Sequence, residues 1–156
     1  MKIIKYFFEF ISIISLFCIF KIIGLRNASH LGSVLGQAIG PLFRSKKIIK
    51  QNIKIGLGDV DKKKEAEIIN SMWSNIGRTF AEYVFLKDFK LNKTNFDHIK
   101  ITGVNHLDVI KKNNEPAIFY SAHLANFELM AMEIDKFGIK CAAIYRPLNN
   151  IFLNPL

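Results

Sequence analysis

The sequence predicts an α/β fold: an N-terminal membrane-anchor helix and a helical region, followed by the first part of a mostly parallel sheet with covering helices. Three observations carry this expectation. Residues 3–23, "IIKYFFEFISIISLFCIFKII", are apolar except for Lys5, Glu9 and Lys21 among the charged types. Apolar residues then recur at helical spacing as far as about residue 92. From residue 98 onward short apolar runs alternate with short helical patterns, the signature of βαβ units. The expected organisation is an anchor over 1–25, a helical region over 26–92 and an incomplete α/β domain over 93–156.

With 156 residues the chain is long enough for one domain of ordinary size. Half of it is apolar, and 22 Lys plus Arg against 13 Asp plus Glu give a formal net charge of +9. Such an excess favours a polyanionic partner. Nucleic acid is not the expected one, because no run interleaves basic and aromatic residues. There is no glycine-rich phosphate loop and no paired-cysteine metal spacing. Cys18 and Cys141 lie in apolar stretches and are expected as buried free thiols, with a disulfide as the alternative.

The longest uncharged run at the N-terminus, Phe10 to Phe20, is shorter than the roughly 18 to 20 residues of a confident span. Lysines at its flanks can snorkel, so the segment is expected to span the membrane or lie in its interface. A buried soluble helix is the alternative. No small-x-small site follows the apolar run, which argues against a cleaved signal peptide. In "NASHLGSVLGQAIGPLF", Gly32, Gly36 and Gly40 recur every four residues, as a face for close helix approach or as a weak glycine-rich helix. Pro41 should end that helix. Residues 44–64 hold eight basic and two acidic residues, with Ile48, Ile49, Ile53 and Leu57 at helical spacing. They predict a basic amphipathic helix and a Gly-Asp turn, either solvated or laid on anionic headgroups. Asp61 is placed to cap a further helix running to about Phe89, with Ile68, Ile69, Met72, Ile76, Phe80, Tyr83 and Val84 on one stripe and Gly77 at a close crossing.

Beyond residue 98, "HIKITG" reads as a strand, "VNHLDVIKK" as a helix and "NNEP" as a turn. "AIFYSA" reads as a buried strand, "NFELMAMEIDKF" as a helix closed by Gly138, and "KCAAIYR" as a third strand. In an open α/β sheet, ligands bind beyond the carboxyl ends of the strands. His123 falls there, directly after "AIFYSA", and Glu128 follows within a turn of the next helix. A carboxylate reaching one imidazole nitrogen fixes the tautomer and stabilises the imidazolium formed when the other nitrogen takes a proton. This is triad logic without a serine, the nucleophile being a substrate hydroxyl. The residues alone leave a packing histidine open as the alternative.

"YSAHLANFELM" followed by "AAIYRPLNN" resembles the lysophospholipid-acyltransferase-like superfamily, whose motif is His, four residues, then Asp or Glu. The nearest resemblance is to the lipid A biosynthesis late acyltransferases, the lauroyl and myristoyl transferases of Gram-negative bacteria. It covers nearly the whole chain in that family's order: anchor, basic helix, "EYVF", "ITGVNHL", the His motif and "YRP". The resemblance implies acyl transfer from an acyl carrier protein thioester to a hydroxyl of a lipid A precursor. His123 would be the general base and Glu128 its orienting carboxylate. Arg146 would bind a phosphate or assist the oxyanion, with an ordinary surface arginine as the alternative. Asn126 would help build the site, or cap the helix. No metal and no dissociable cofactor is implied, since the thioester supplies the acyl group. The implied partners are acyl carrier protein, a lipid A precursor and anionic membrane lipids. The implied location is the bacterial inner membrane, with the site facing the cytoplasm. Because members of the family are about twice as long, the chain is expected to be an N-terminal half that is inactive alone. A lysophosphatidate-type acyltransferase and a non-enzymatic membrane-anchored binding fragment are the competing readings.

Overall fold

Among the described residues the regular structure is helical, and the buried apolar residues all sit on helical segments. The structure, a computed structural model, describes residues 2–91, 99–113, 115–144 and 146–154. Along the chain come α1 (Lys2–Ile39), a 3-10 turn (Gly40–Leu42), α2 (Lys46–Leu57), α3 (Lys62–Glu82), a second 3-10 turn (Tyr83–Phe85), α4 (Leu86–Lys90), α5 (Val104–Asn113) and α6 (Glu128–Lys136). Phe20, Ala28, Ile49, Trp73 and Ala81 are buried in the unit of residues 17–84, and Phe85, Phe89 and Ile134 in the other. The chain divides into two compact units, one of residues 17–84 and one of residues 1–16 with 85–156.

In the unit of residues 17–84, α1 and α3 run antiparallel with their backbones in close contact. Gly32 and Gly36 lie against Gly77, and Gly40 lies under the Trp73 ring, so the expected glycine face and the crossing at Gly77 are both realised. A Cβ added at Gly77 would run into the carbonyl oxygen of Gly32. The rings of Phe17 and Phe80 meet at 5.2 Å, and Phe20 is wholly buried, which contributes on the order of 1.5–3 kcal/mol. A polar seam runs beside the glycines. Ser33 and Ser74 share a hydroxyl hydrogen bond of 2.7 Å, Ser29 donates to Glu82 at 3.2 Å and Arg78 donates to Ser29 at 3.4 Å.

Local signals set the ends of these helices. α1 is interrupted at Gly24 (φ 78°, ψ 162°), a backbone setting that glycine takes with little strain. It gives way at Gly40–Pro41–Leu42 to the 3-10 turn, with Pro41 early in it, as expected. Asp61 accepts a hydrogen bond from the Lys64 amide at 2.8 Å, the predicted cap of α3, worth about 1 kcal/mol. Ile49 on α2 is buried, and Lys50 pairs with Glu65 of α3 at 2.7 Å. The expected stripe on α2 is only partly covered, since Ile48 and Leu57 remain exposed. The helix expected to reach Phe89 instead tightens at Tyr83–Phe85, where the chain leaves one unit for the other.

In the other unit, Phe89 of α4 and Ile134 of α6 are both buried, and Lys90 bonds Asp135 at 2.8 Å, joining the two helices. Lys111 on α5 donates to the carbonyl of Phe137 at 3.0 Å, just past α6. Gly138 follows the C-cap Phe137 with φ +85°, in the position expected of it. The start of α1 belongs to this unit as well. Asn150 donates to the Tyr6 carbonyl at 2.9 Å and to Glu9 at 3.2 Å, and Phe152 packs edge-on to Phe7.

The expected α/β fold with a parallel sheet is overturned: among the described residues there is no strand. Of the runs read as strands, residues 117–122 and the described part of 140–146 are irregular, and no backbone hydrogen bond joins them. Part of "HIKITG" and Tyr145 of "KCAAIYR" lie outside the described residues. The physical reason is that a strand exists only through its ladder. Apolar side chains favour one only when a neighbour pairs the backbone and covers both faces. Here Ile118 is 78% and Tyr120 88% exposed. The expected burial of the thiols fails too, as Cys18 and Cys141 are free but exposed.

Gly77→Ala is expected to lower the stability of the 17–84 unit by about 1–3 kcal/mol through overpacking. Gly56→Ala, at a helical position with open space around it, should raise stability by up to about 1 kcal/mol. Thermal unfolding of the two variants in detergent, side by side, checks the pair.

Candidate active site

The candidate residues lie on the irregular segment before α6, on α6 itself and in the segment after it. The Leu124 amide bonds the Ala122 carbonyl at 2.8 Å, closing a three-residue turn centred on His123. Ala125 follows with φ +45°, the left-handed region that an alanine enters only at a cost of roughly 1–2 kcal/mol. The chain then reverses into α6. The Asn126 carbonyl accepts from the Leu129 amide at 3.2 Å, and Glu128 is the first helical residue. The positive end of the helix dipole suits a carboxylate there.

The geometry brings some of the candidates together and not others. His123 is exposed, and its ring lies on Phe127, with centroids 4.1 Å apart and planes tilted by 38°. No hydrogen bond or ion pair joins His123 to Glu128 among the described residues. Asn126 is buried, while the cap position of α6 falls to Phe127, which makes no side-chain cap bond. Arg146 is exposed and lies beyond Tyr145, which is outside the described residues. Phe127 is the participant that reading for polar chemistry passed over. Its signal was present, an aromatic ring four residues after the histidine inside the same motif.

Beside this turn opens a cleft of about 910 Å³. Its walls are residues 115–119 and 138–143, with Phe127 just before α6, Glu128, Met130, Ala131 and Ile134 along it, and Ile110 and Lys111 from α5. The lining is mainly apolar, with Lys111, Glu115, Glu128 and Lys140 as its charged members. Glu128 and Phe127 border the cleft, and His123 and Arg146 are outside its lining. No group of three or more His, Cys, Asp or Glu able to hold a metal occurs among the described residues.

Compared with known proteins, the model of the bacterial lipid A biosynthesis acyltransferases matches residues 1–156, the whole chain. The chain belongs to this family. No curated protein and no solved structure matches it. The resemblance carried by the His motif and by the order of segments around it therefore holds. Membership makes this chain a member of an acyltransferase family whose substrate is of the lipid A type. One helix, Lys2–Leu42, is long and apolar enough to cross a membrane, and almost none of its most apolar window is buried inside the protein.

Ala125→Gly is expected to raise the stability of the surrounding unit by several tenths of a kcal/mol to about 1 kcal/mol, because glycine takes the left-handed conformation without the Cβ clash. Ala125→Val should lower it by at least about 1 kcal/mol. Denaturant midpoints of the two variants, compared with the unmodified chain, are the check.

Proposed function

We propose that the chain contributes the site of an acyltransferase that moves a fatty acyl group from an acyl carrier protein thioester to a hydroxyl of a lipid A precursor. The observation that carries this reading is the family match over the entire chain. It is supported by a histidine presented on a turn, a carboxylate at the start of the following helix and an apolar cleft beside them.

In this reading the imidazole of His123 takes the proton from the acceptor hydroxyl as its oxygen attacks the thioester carbonyl. The tetrahedral intermediate collapses, the C–S bond breaks, and the imidazolium returns the proton to the departing thiolate. Ester and free thiol are the products, and no oxidant, metal or cofactor enters. Glu128 orients His123 and stabilises the imidazolium, which requires the His123 ring to leave Phe127 and turn towards the first turn of α6. Catalytic hydrogen bonds of this kind often tighten only when substrate is bound. Arg146 meets a phosphate or the developing oxyanion, and Asn126 holds the turn that presents His123. The apolar cleft receives acyl chain. The basic surface suits an acidic carrier protein, phosphorylated lipid and anionic membrane lipids. The site works at the cytoplasmic face of a bacterial inner membrane, where α1 anchors the chain.

In an intact or complemented enzyme, His123→Ala is expected to lower kcat by about 10²- to 10⁴-fold, and Glu128→Gln to lower it severely with a smaller change in KM. The assay uses labelled acyl carrier protein donor with lipid A precursor and, in parallel, lysophosphatidate. Near-normal turnover in His123→Ala would remove the general-base role. His123-dependent acylation of lysophosphatidate alone would move the substrate to the related acyltransferases. The same preparation gives a localisation test. The chain should sediment with membranes through a high-salt wash and enter the supernatant only with detergent.

A further inference from the structure

At the junction of α1 and α2, in the 17–84 unit, two large apolar side chains stand in the open beside a group of cations. Leu42 is 83% and Phe43 79% exposed. They are not on a loose loop. The Phe43 amide bonds the Gly40 carbonyl at 2.9 Å, and Gly40 is seated on the Trp73 ring, so the turn presenting them rests on a buried indole. Arg44, Lys46 and Lys47 follow directly, and among the described residues none of them is in an ion pair. The lysines further along α2 are engaged: Lys50 with Glu65 at 2.7 Å and Lys54 with Asp59 at 2.8 Å. The first turn of α2 has no acidic residue. Ile48 and Ile55, seven residues apart and hence on one side of α2, add exposed apolar surface turned away from the buried Ile49.

We propose that Leu42, Phe43, Arg44, Lys46 and Lys47 form a second membrane contact, which docks on an anionic lipid surface and inserts Leu42 and Phe43 at the level of the headgroups. It rests on the reading that α1 lies in a membrane, and it assigns residues to the anionic-lipid partner of that reading. A bilayer fits better than a protein groove for two reasons. Exposed apolar residues next to unpaired cations match the layering of an anionic interface, hydrocarbon below and phosphate above. The patch also follows the apolar segment 3–23 by 19 residues in the same chain, so an inserted anchor keeps it tethered near a membrane surface.

The test uses the full chain in phosphatidylcholine vesicles with and without phosphatidylglycerol. An environment-sensitive fluorophore is placed at Ser45→Cys, which leaves the patch intact, in a Cys18→Ser, Cys141→Ser background. Cys18 in the Cys141→Ser protein reports the anchor, and Asn70→Cys in the double-serine background reports an exposed site on α3. The probe at 45 should be quenched by lipids spin-labelled near the headgroup in phosphatidylglycerol vesicles and not in phosphatidylcholine alone, while the probe at 70 is quenched in neither. Arg44→Glu, Lys46→Glu and Lys47→Glu together should reduce quenching at 45 to the phosphatidylcholine level and leave that at Cys18 unchanged. Leu42→Ser with Phe43→Ser should abolish the blue shift at 45. Quenching at Cys18 with none at 45 overturns this proposal and leaves the anchor standing. Quenching at neither position overturns both. A blue shift at 45 that grows with protein concentration in detergent, without lipid quenching, assigns the face to a second copy and overturns the proposal.

Discussion

The backbone contact of α1 with α3 at Gly32, Gly36 and Gly77 governs the architecture of the 17–84 unit. Helix axes normally stay about 8–10 Å apart because side chains hold them there. Removing the side chains at the crossing lets main chain meet main chain, and everything nearby follows from that closeness. Serine hydroxyls at positions 33 and 74 come within hydrogen-bonding reach only because the helices are so near. Trp73 is clamped over Gly40 for the same reason, and through Gly40 the turn before α2 acquires a fixed seat. The helices adhere by small residues and short polar links, a mode that works equally in water and in lipid, since it does not rely on expelling water from between apolar faces.

Much of this unit was legible in the sequence, because its signals are local. The every-fourth glycines, Pro41, the Asp61 cap and the basic α2 each depend on residues within a few positions of one another. That the later segments form no sheet was not legible in the same way. Alternation and apolar density show that a run such as 117–122 suits a strand, but a strand is a relation between two segments, and the second partner is not written in the first. Ile118 and Tyr120 have β-forming side chains with nothing over them. The tightening of the backbone at Tyr83–Phe85 had no local marker either, for it contains neither glycine nor proline.

The candidate site shows the same division. The order His, four residues, Glu could be read directly, and it led to the acyltransferase family to which the chain belongs. The side-chain arrangement could not. Between His123 and Glu128 lies a left-handed alanine, and the aromatic ring of Phe127 occupies the face of the imidazole. A tilted ring contact is inexpensive to break compared with a buried ion pair, so the His123 ring is easily redirected. The cleft beside it is bordered by Glu128 and Phe127, the two residues between which His123 would have to choose.

The contact from Asn150 back to Tyr6 joins positions 144 residues apart. During synthesis the N-terminal turns of α1 leave the ribosome well before Asn150 and Phe152. At about 5–20 residues per second, the stretch between them takes roughly 7–30 s to make. Through that interval Tyr6, Phe7 and Glu9 have no Asn150 or Phe152 to meet, whereas the pairing of Ser33 with Ser74 needs only 41 further residues. The glycine-crossed unit can therefore close while the rest is still being translated. The N-terminal turns must meanwhile be held by whatever surface receives them. The order of synthesis thus lets the glycine-crossed unit form before the unit that carries the candidate residues is complete.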